Sequence, residues 1–405
     1  MSALDAPTPA RASTRLQAVL AVGAMMAVQG LATMAVLSLA AVAPEVGRAL
    51  ELPPSLIGYQ ISVVYAGAMA TSVFGAGLPQ RVGPIGASQA ALALCALGAL
   101  LAAVPSLASL ACGSVVMGLC YGLTNPAAAL LLSRIVTPRN RNLVFSLKQS
   151  GVPLGGVAAG LVGPAAALAW GWRATPLVVA ASALVLLVAL SPLRRRWDRE
   201  RDPRARLAPS PLGSLLVVLR DPPLRRLALI AFCYGGNQLC LMTFLVTLLV
   251  VERGMGLAEA GFALAVVQAV GAFSRLAWGA AADRFGGGFR VLAVTALVMI
   301  PSALTIAFTD ADSPRLLLWL TLVAFAASAI GWNGVFSAEV ARRAPIGQIG
   351  SATGGVLFFA FFGVMLGPAA FSVAYRAIGD YGSTFGALAL VAAVGLAASW
   401  SGRRT

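Results

Sequence analysis

The sequence predicts an all-α membrane protein whose twelve transmembrane helices form two pseudo-symmetric six-helix bundles. Three observations lead to this prediction: the composition, the spacing of apolar stretches and a repeat between the two halves. Hydrophobic residues make up 59% of the 405-residue chain and charged residues only 11%. This is too little charge to cover the surface of a soluble protein, so the expected partner is a lipid bilayer.

Apolar stretches long enough to cross a bilayer recur along the whole chain. A hydrocarbon core of roughly 30 Å needs about 20 apolar residues in a helix. A chain that spans this core must also satisfy its own backbone groups, which helices do. The twelve stretches lie at 17–42, 56–78, 85–104, 107–133, 142–168, 174–193, 226–250, 258–281, 290–309, 315–338, 349–373 and 382–400.

One polar segment separates the first six spans from the last six. It is rich in arginine and proline, although 212–219 within it is apolar. That short stretch fits either a helix on the membrane surface or an ordinary connector. We therefore divide the chain into an N-terminal half, 1–193, a cytoplasmic linker, 194–225, and a C-terminal half, 226–405.

The basic residues predict the orientation. With both termini in the cytoplasm, 22 of the 29 Lys and Arg lie inside, five lie outside and two lie within spans. The positive-inside rule favours this arrangement. It also accounts for the net charge of +15 without a nucleic-acid partner. We expect a monomeric, multi-pass protein of a bacterial inner membrane.

The residue types present do not favour a metal site, a cofactor or an enzyme. The chain has no histidine, and its five cysteines lie in apolar runs without a CxxC pair. Zinc, haem and thiol redox chemistry therefore lack their usual ligands. A membrane-embedded enzyme would need a nucleophile with a base, or paired acids, inside the spans. We expect no cofactor, no metal and no catalytic residue.

A short repeat relates the two halves. The segment after the second span, 75–84, reads GAGLPQRVGP, and the segment after the eighth, 279–288, reads GAAADRFGGG. Duplicated halves around a midplane cavity are typical of secondary transporters. Gly279, Asp283, Arg284 and Gly286 match the loop signature G-x-x-x-D-R-x-G, so the chain resembles the major facilitator superfamily over nearly its whole length.

This resemblance implies a transporter that opens alternately to the two sides of the membrane. It implies that Asp283 caps a helix of the opposite half at the start of the fifth span, beside Arg139 and Arg141. Arg284 would pair nearby, and the contact would latch the cytoplasmic side. The alternative is that Asp283 and Arg284 only form a polar turn between two helices.

The first-half copy of this loop lacks the acid. Gln80 stands at that position, while Arg81 and Gly83 persist. Arg81 and Gly83 join Gly279, Asp283, Arg284 and Gly286 as candidate gating residues.

Two basic residues lie inside predicted spans: Lys148, the only lysine of the chain, and Arg275. No acidic residue accompanies them there, and a lone cation at a helix centre costs about 3 kcal/mol. Each lies about six residues from the cytoplasmic end of its span, hence at a similar depth. We predict that both bind one anion in a shared cavity; the alternative is that each side chain snorkels to the headgroups.

The triplet Ser274-Arg275-Leu276, four residues before Gly279, resembles the arginine region of oxalate/formate-type and monocarboxylate-type members. In those members this arginine binds the substrate carboxylate, which implies the same role for Arg275. Interhelical hydrogen bonding is the alternative use for the other polar residues of the spans. The remaining candidate substrate-binding residues are Gln268, Gln149, Asn237, Gln238, Asn333, Asn125 and Tyr59.

The predicted function is secondary active transport of a small organic anion, such as a carboxylate. Two embedded cations without embedded acids favour this solute. The alternative on the same fold is efflux of drugs or other hydrophobic compounds.

Overall fold

The computed structural model describes residues 9–75, 77–135, 141–199, 201–205, 211–285, 287–345 and 349–402. All regular secondary structure in these ranges is helical. The α-helices, in chain order, are α1 (Pro9–Ser38), α2 (Ala43–Leu50), α3 (Ile57–Phe74), α4 (Leu78–Val82), α5 (Pro84–Ala102), α6 (Leu107–Ser133), α7 (Arg141–Gln149), α8 (Gly151–Trp170), α9 (Ala174–Ala189), α10 (Ser191–Trp197), α11 (Pro211–Arg220), α12 (Pro222–Val251), α13 (Leu257–Phe285), α14 (Gly288–Phe308), α15 (Arg315–Gly331), α16 (Asn333–Arg343), α17 (Ile349–Ile378) and α18 (Tyr381–Ser401).

The helices follow the predicted order of spans. Within the described ranges, 10 helical segments are long and apolar enough to cross a membrane, and the pair α9 and α10, bent by 45°, makes an eleventh. The helix α3 covers the remaining predicted span, the second. The prediction of an all-α membrane protein is therefore confirmed.

The two halves are built from the same helix pairs. In the N-terminal half α1 packs on α8, α3 on α6 and α5 on α9. The corresponding spans of the C-terminal half make the corresponding pairs: α12 packs on α17, α13 on α15 and α14 on α18. This shared pattern is the pseudo-symmetry that the loop repeat predicts.

The halves meet along two seams, α8 with α13 and α3 with α17. The backbones of Gly160 and Gly261 touch in the first seam, where a Cβ on Gly160 would lie 2.6 Å from the Gly261 oxygen. In the second seam Ser372 Oγ donates to the Ser55 oxygen at 2.6 Å. These contacts lie toward the end that holds 39–56, which we name the closed end. The opposite end, which holds the first and last described residues, 9 and 402, is the terminal end.

Three predicted spans are not straight. The fifth breaks at Ser150, between α7 and α8, because Pro153 has no N–H to donate to the Gln149 carbonyl and its ring crowds that oxygen. The sixth bends at Leu190, and the tenth breaks at Trp332, between α15 and α16. The prediction of one continuous helix over each of 142–168, 174–193 and 315–338 is therefore wrong, because each of these spans contains a break or a bend.

The linker contains a helix, α11, that packs on α17. A Cβ at Gly355 of α17 would lie 2.6 Å from the Val218 side chain of α11, and Val218 is fully buried. Of the two alternatives for 212–219, the helix is correct, and α17 provides the surface against which it packs. The preceding helix α10 ends at Trp197, so the helical structure extends beyond 193, the predicted end of the N-terminal half.

Candidate solute-binding site

The Lys148 ammonium lies at the end of α7, surrounded by amide oxygens. Its Nζ donates to Gln29 Oε1 at 2.8 Å, to Asn125 Oδ1 at 2.6 Å and to Gln149 Oε1 at 3.1 Å. An ammonium group has three N–H donors, so these three bonds satisfy all of them. In the described part of the chain no carboxylate pairs with it. Neutral dipoles therefore hold this charge.

The break in the fifth span places Lys148 in this position. The helix α7 ends one residue after Lys148, and a cation in the last turn of a helix faces the negative end of the helix dipole. The side chain is 2% exposed and directed into the N-terminal half. It is therefore not extended toward the bilayer surface as a snorkelling lysine would be.

Arg275 is bonded to a backbone oxygen exposed by the break in the tenth span. Its Nε donates to the Ile330 oxygen at 3.3 Å, and Asn333 Nδ2 donates to the same oxygen at 3.2 Å. In an unbroken helix this oxygen would accept the N–H of Gly334. Two side-chain donors inserted into the backbone ladder explain why the helix breaks at Trp332.

The helix α6 links the surroundings of the two cations. Asn125, which binds Lys148, lies four residues after Tyr121, whose hydroxyl is within electrostatic range of Arg275. Four residues correspond to about one helical turn, or about 6 Å of rise. The partners of Lys148 and Arg275 thus occupy neighbouring turns of one helix face.

The helix α1 repeats this spacing. Gln29 Oε1, which binds the lysine, also accepts the Thr124 hydroxyl at 3.0 Å. One turn further along α1, Thr33 lies near the Tyr121 hydroxyl. The bond from Thr124 to Gln29 therefore links α6 to α1 beside the lysine.

Three aromatic rings lie on the closed-end side of these turns. The ring centroids of Tyr65 and Tyr121 are 5.6 Å apart, edge to face, and those of Tyr65 and Phe361 are 6.4 Å apart. Tyr65 and Tyr121 belong to the N-terminal half and Phe361 to the C-terminal half. We name Tyr65, Tyr121 and Phe361 the aromatic cluster; the hydropathy pattern did not single out Tyr121 or Phe361, because aromatic residues are common in membrane helices.

Asn125 and Gln149 are exposed and Arg275 is partly exposed. Of the predicted set, the structure brings Lys148 together with Asn125 and Gln149; a site that Lys148 shares with Arg275 stays a prediction.

Gln238 and Asn333 are used in a bond between helices. Gln238 Oε1 accepts Asn333 Nδ2 at 3.0 Å and Trp332 Nε1 at 3.2 Å. These bonds tie α12 to the break in the tenth span, beside the residue that holds Arg275.

The other predicted polar residues lie elsewhere. Gln268 and Asn237 are fully buried, and neither of their amide groups has a hydrogen-bond partner among the described residues. Gln268 packs directly on Gly156 of α8, in the seam between the halves. Tyr59 lies under the Arg376 guanidinium, 5.5 Å from its ring centroid.

The candidate gating loop of the C-terminal half is exposed. Asp283 and Arg284 lie at the end of α13 with exposed side chains, and Gly279 has open space around it. Gly286, Arg139 and the Arg141 side chain lie outside the described residues. The capping contact of Asp283 stays a prediction.

The first-half copy of this loop is bonded to the linker. Arg81 Nε donates to the Ala205 oxygen at 2.6 Å. Asp198 accepts the N–H groups of Ile85 at 2.9 Å and of the next residue at 2.8 Å, which caps α5. Gly83 permits this approach, since its φ is 89° and a Cβ there would overlap the Asp198 side chain.

Comparison with solved structures shows the same fold in several transporters. A bacterial homologue of the human lysosomal transporter Spinster, in an inward-facing and unoccupied conformation, matches with a TM-score of 0.77 at 18% identity, over 96% of this chain and 97% of that one. The E. coli fucose:proton symporter matches with a TM-score of 0.61 at 17% identity, over 96% and 100%. The nucleoside transporter NupG matches with a TM-score of 0.75 at 14% identity, over 95% and 99%.

No curated protein matches the sequence significantly. The family model described as Major Facilitator Superfamily does match, over residues 25–368. These residues include most of both halves, the whole linker, Lys148 and Arg275. The chain is therefore a member of the major facilitator superfamily and a transporter, not an enzyme.

Proposed function

We propose that this secondary transporter carries a small organic anion across a bacterial inner membrane by alternating access. The observation that carries the proposal is the pair of embedded cations, Lys148 and Arg275, each bonded to neutral oxygens. Neutral dipoles lower the cost of burying a charge without cancelling it. A solute with a carboxylate adds the missing opposite charge.

The geometry supports one site for both cations. Their partners lie about one helical turn apart on α6, and Arg275 belongs to the opposite half from Lys148. An anion between them contacts both halves at once. Such a solute is positioned to couple its own binding to the movement of the halves, because its affinity depends on how closely they approach.

The seam contacts indicate to which side of the membrane the space between the two halves opens. They lie toward the closed end, which the arginine distribution places outside. With both termini in the cytoplasm, the structure corresponds to an inward-facing state. Asn125 and Gln149 then face the cytoplasmic entrance with their exposed side chains.

The proposal is tested by uptake of radiolabelled carboxylates into liposomes that contain the purified protein. We expect Arg275→Ala and Lys148→Gln each to lower uptake about tenfold or more, since a hydrogen bond to a charged group contributes about 1.5–3 kcal/mol. Arg290→Ala is the matched control, because Arg290 is a basic residue exposed at the terminal end.

Folding of each variant is checked by gel filtration in detergent. Unchanged uptake by folded Arg275→Ala and Lys148→Gln would contradict the site. Export of hydrophobic compounds that is insensitive to both substitutions would favour the alternative function, drug efflux.

A further inference from the structure

The aromatic cluster joins the two halves beside Arg275, since Tyr121 is near Arg275 and the Tyr65 ring packs on Phe361. Tyr121 lies within range of Arg275 and, through Tyr65, contacts Phe361 of the opposite half. We propose that this cluster selects the solute, and that the preferred substrate is a carboxylate with a flat apolar body, such as an arene carboxylate. The inference rests on the proposed anion transport and specifies its substrate class.

The tyrosines present ring surface more than polar groups. The Tyr121 hydroxyl lies near the Tyr65 hydroxyl and near Thr33. The polar ends of both tyrosines are therefore close together inside the N-terminal half, and both residues are buried. Phe361, which is partly exposed, has no polar group to offer. A solute that reaches the cluster therefore meets ring edges and faces.

The apolar surface continues along α17 from the cluster toward the terminal end. Leu357 lies four residues before Phe361 and Gly354 lies seven before it, so the three share one helix face. Both Leu357 and Gly354 are exposed. Cations on one side and an apolar wall on the other suit an amphipathic anion better than a polyhydroxylated solute.

The position of the cluster limits how far a solute can move toward the closed end. On α3 and α17, the residues two turns closer to the closed end are Gly58 and Pro368, whose backbones are in direct contact. The space between the halves is therefore closed just beyond the aromatic cluster. A carboxylate held at Arg275 places its hydrocarbon body against these rings.

The expected size of the selectivity follows from ring contacts. An edge-to-face aromatic pair contributes about 0.5–1.5 kcal/mol beyond its area, or about 2- to 13-fold in affinity. We expect benzoate to bind more tightly than acetate and oxalate, and more tightly than cyclohexanecarboxylate, whose ring is not flat.

The test compares competition by these four compounds for the uptake of labelled benzoate into liposomes. Phe361→Ala removes the ring and Phe361→Leu keeps an apolar side chain without it. We expect both substitutions to weaken the binding of benzoate about 2- to 10-fold relative to that of acetate. Phe308→Ala is the control, because the Phe308 side chain is 85% exposed at the end of α14, on a helix that does not contribute to the cluster.

Two results would overturn the inference and leave anion transport standing. One is equal competition by benzoate and acetate in the wild-type protein. The other is that Phe361→Leu weakens competition by benzoate and by acetate to the same extent. Failure of every carboxylate to bind or to be taken up would overturn the proposed function as well. Selective loss of benzoate competition in Phe361→Leu, with Phe308→Ala unchanged, supports the aromatic cluster as the selecting element.

Discussion

Lys148 Nζ and Gln29 Oε1 are 2.8 Å apart, and this bond joins the only lysine of the chain to α1 across 119 residues of sequence. The same oxygen accepts the Thr124 hydroxyl at 3.0 Å. A single neutral amide oxygen thus receives donors from two other helices. Because that oxygen is neutral, it does not cancel the positive charge of the lysine.

Gln29→Glu tests this relationship. A carboxylate at position 29 would pair with Lys148 and cancel its charge, so we expect carboxylate uptake into liposomes to fall about tenfold while the protein stays folded. Gln29→Leu instead removes an acceptor of the ammonium, and we expect it to lower the free energy of unfolding by about 1.5–3 kcal/mol. Full uptake by Gln29→Glu would show that transport does not use the lysine charge.

The contact of Gly160 with Gly261 predicts a conformational effect. A Cβ on Gly261 would meet the Gly160 backbone. Gly261→Ala therefore destabilises the packing of α8 on α13 by about 1–3 kcal/mol through overpacking. We expect the equilibrium to shift toward opening of that end. Spin labels on Ser106→Cys and Asp312→Cys, which are exposed at the closed end, would report a longer distance by pulsed electron paramagnetic resonance.

Gly256→Ala provides the control for that measurement. Gly256 lies near the start of the same helix with open space around its α-carbon, so a methyl group there meets no neighbour. An equal change in Gly256→Ala and Gly261→Ala would argue against the seam as the cause.

Pro153→Ala is expected to alter transport more than stability. Alanine restores an N–H that can donate to the Gln149 oxygen, so α7 and α8 can join into one helix and displace Lys148. We expect uptake to fall while the thermal midpoint stays the same or rises. Pro301→Ala, in the middle of α14, is the matched control; a loss of uptake in both variants would point to a general effect of proline removal.

Asp198→Ala is expected to destabilise the N-terminal half. Its carboxylate accepts two N–H groups at the start of α5, and removing a helix cap costs about 0.5–2 kcal/mol. Thermal unfolding in detergent measures the loss. Asp202→Ala should have a much smaller effect, since among the described residues that exposed carboxylate accepts only the Arg204 N–H of a local turn.

Gln268→Leu separates two roles for a fully buried amide. Both polar atoms of Gln268 lack a partner among the described residues, and leaving such groups unpaired costs about 1–3 kcal/mol. We expect leucine to raise the thermal midpoint of the inward-facing state. If uptake also falls, Gln268 contributes to the cycle in another state; a lowered midpoint would contradict the unpaired environment.

The fold could be predicted because the bilayer fixes the length of each span, and the loop repeat revealed the two halves. The similar depth of Lys148 and Arg275, which we infer from helix rise, stays a prediction. The break at Ser150 had a local signal in Pro153 that a count of apolar residues ignores. The break at Trp332 had none, because Arg275, which takes the Ile330 oxygen, is 55 residues away.

The hydrogen-bond partners of Lys148 and Arg275 could not be predicted from the sequence either. Amides in apolar runs serve as solute contacts or as interhelical bonds, and only packing decides between the two uses. Asn125 joins the lysine, whereas Gln238 bonds to Asn333. The specific resemblance of the Arg275 region to oxalate/formate-type and monocarboxylate-type members stays a prediction, since the fold is shared by transporters of different solutes.

The two interrupted spans have a mechanical consequence. Each break separates a lever, α7 or α16, from the remainder of its span, and a cation is bonded at or beside each joint. A solute that draws Arg275 away from the Ile330 oxygen would leave that oxygen free to accept the Gly334 N–H, so the tenth span could straighten. We therefore expect α7 and α16 to move at the terminal end while the seams at the closed end stay in contact.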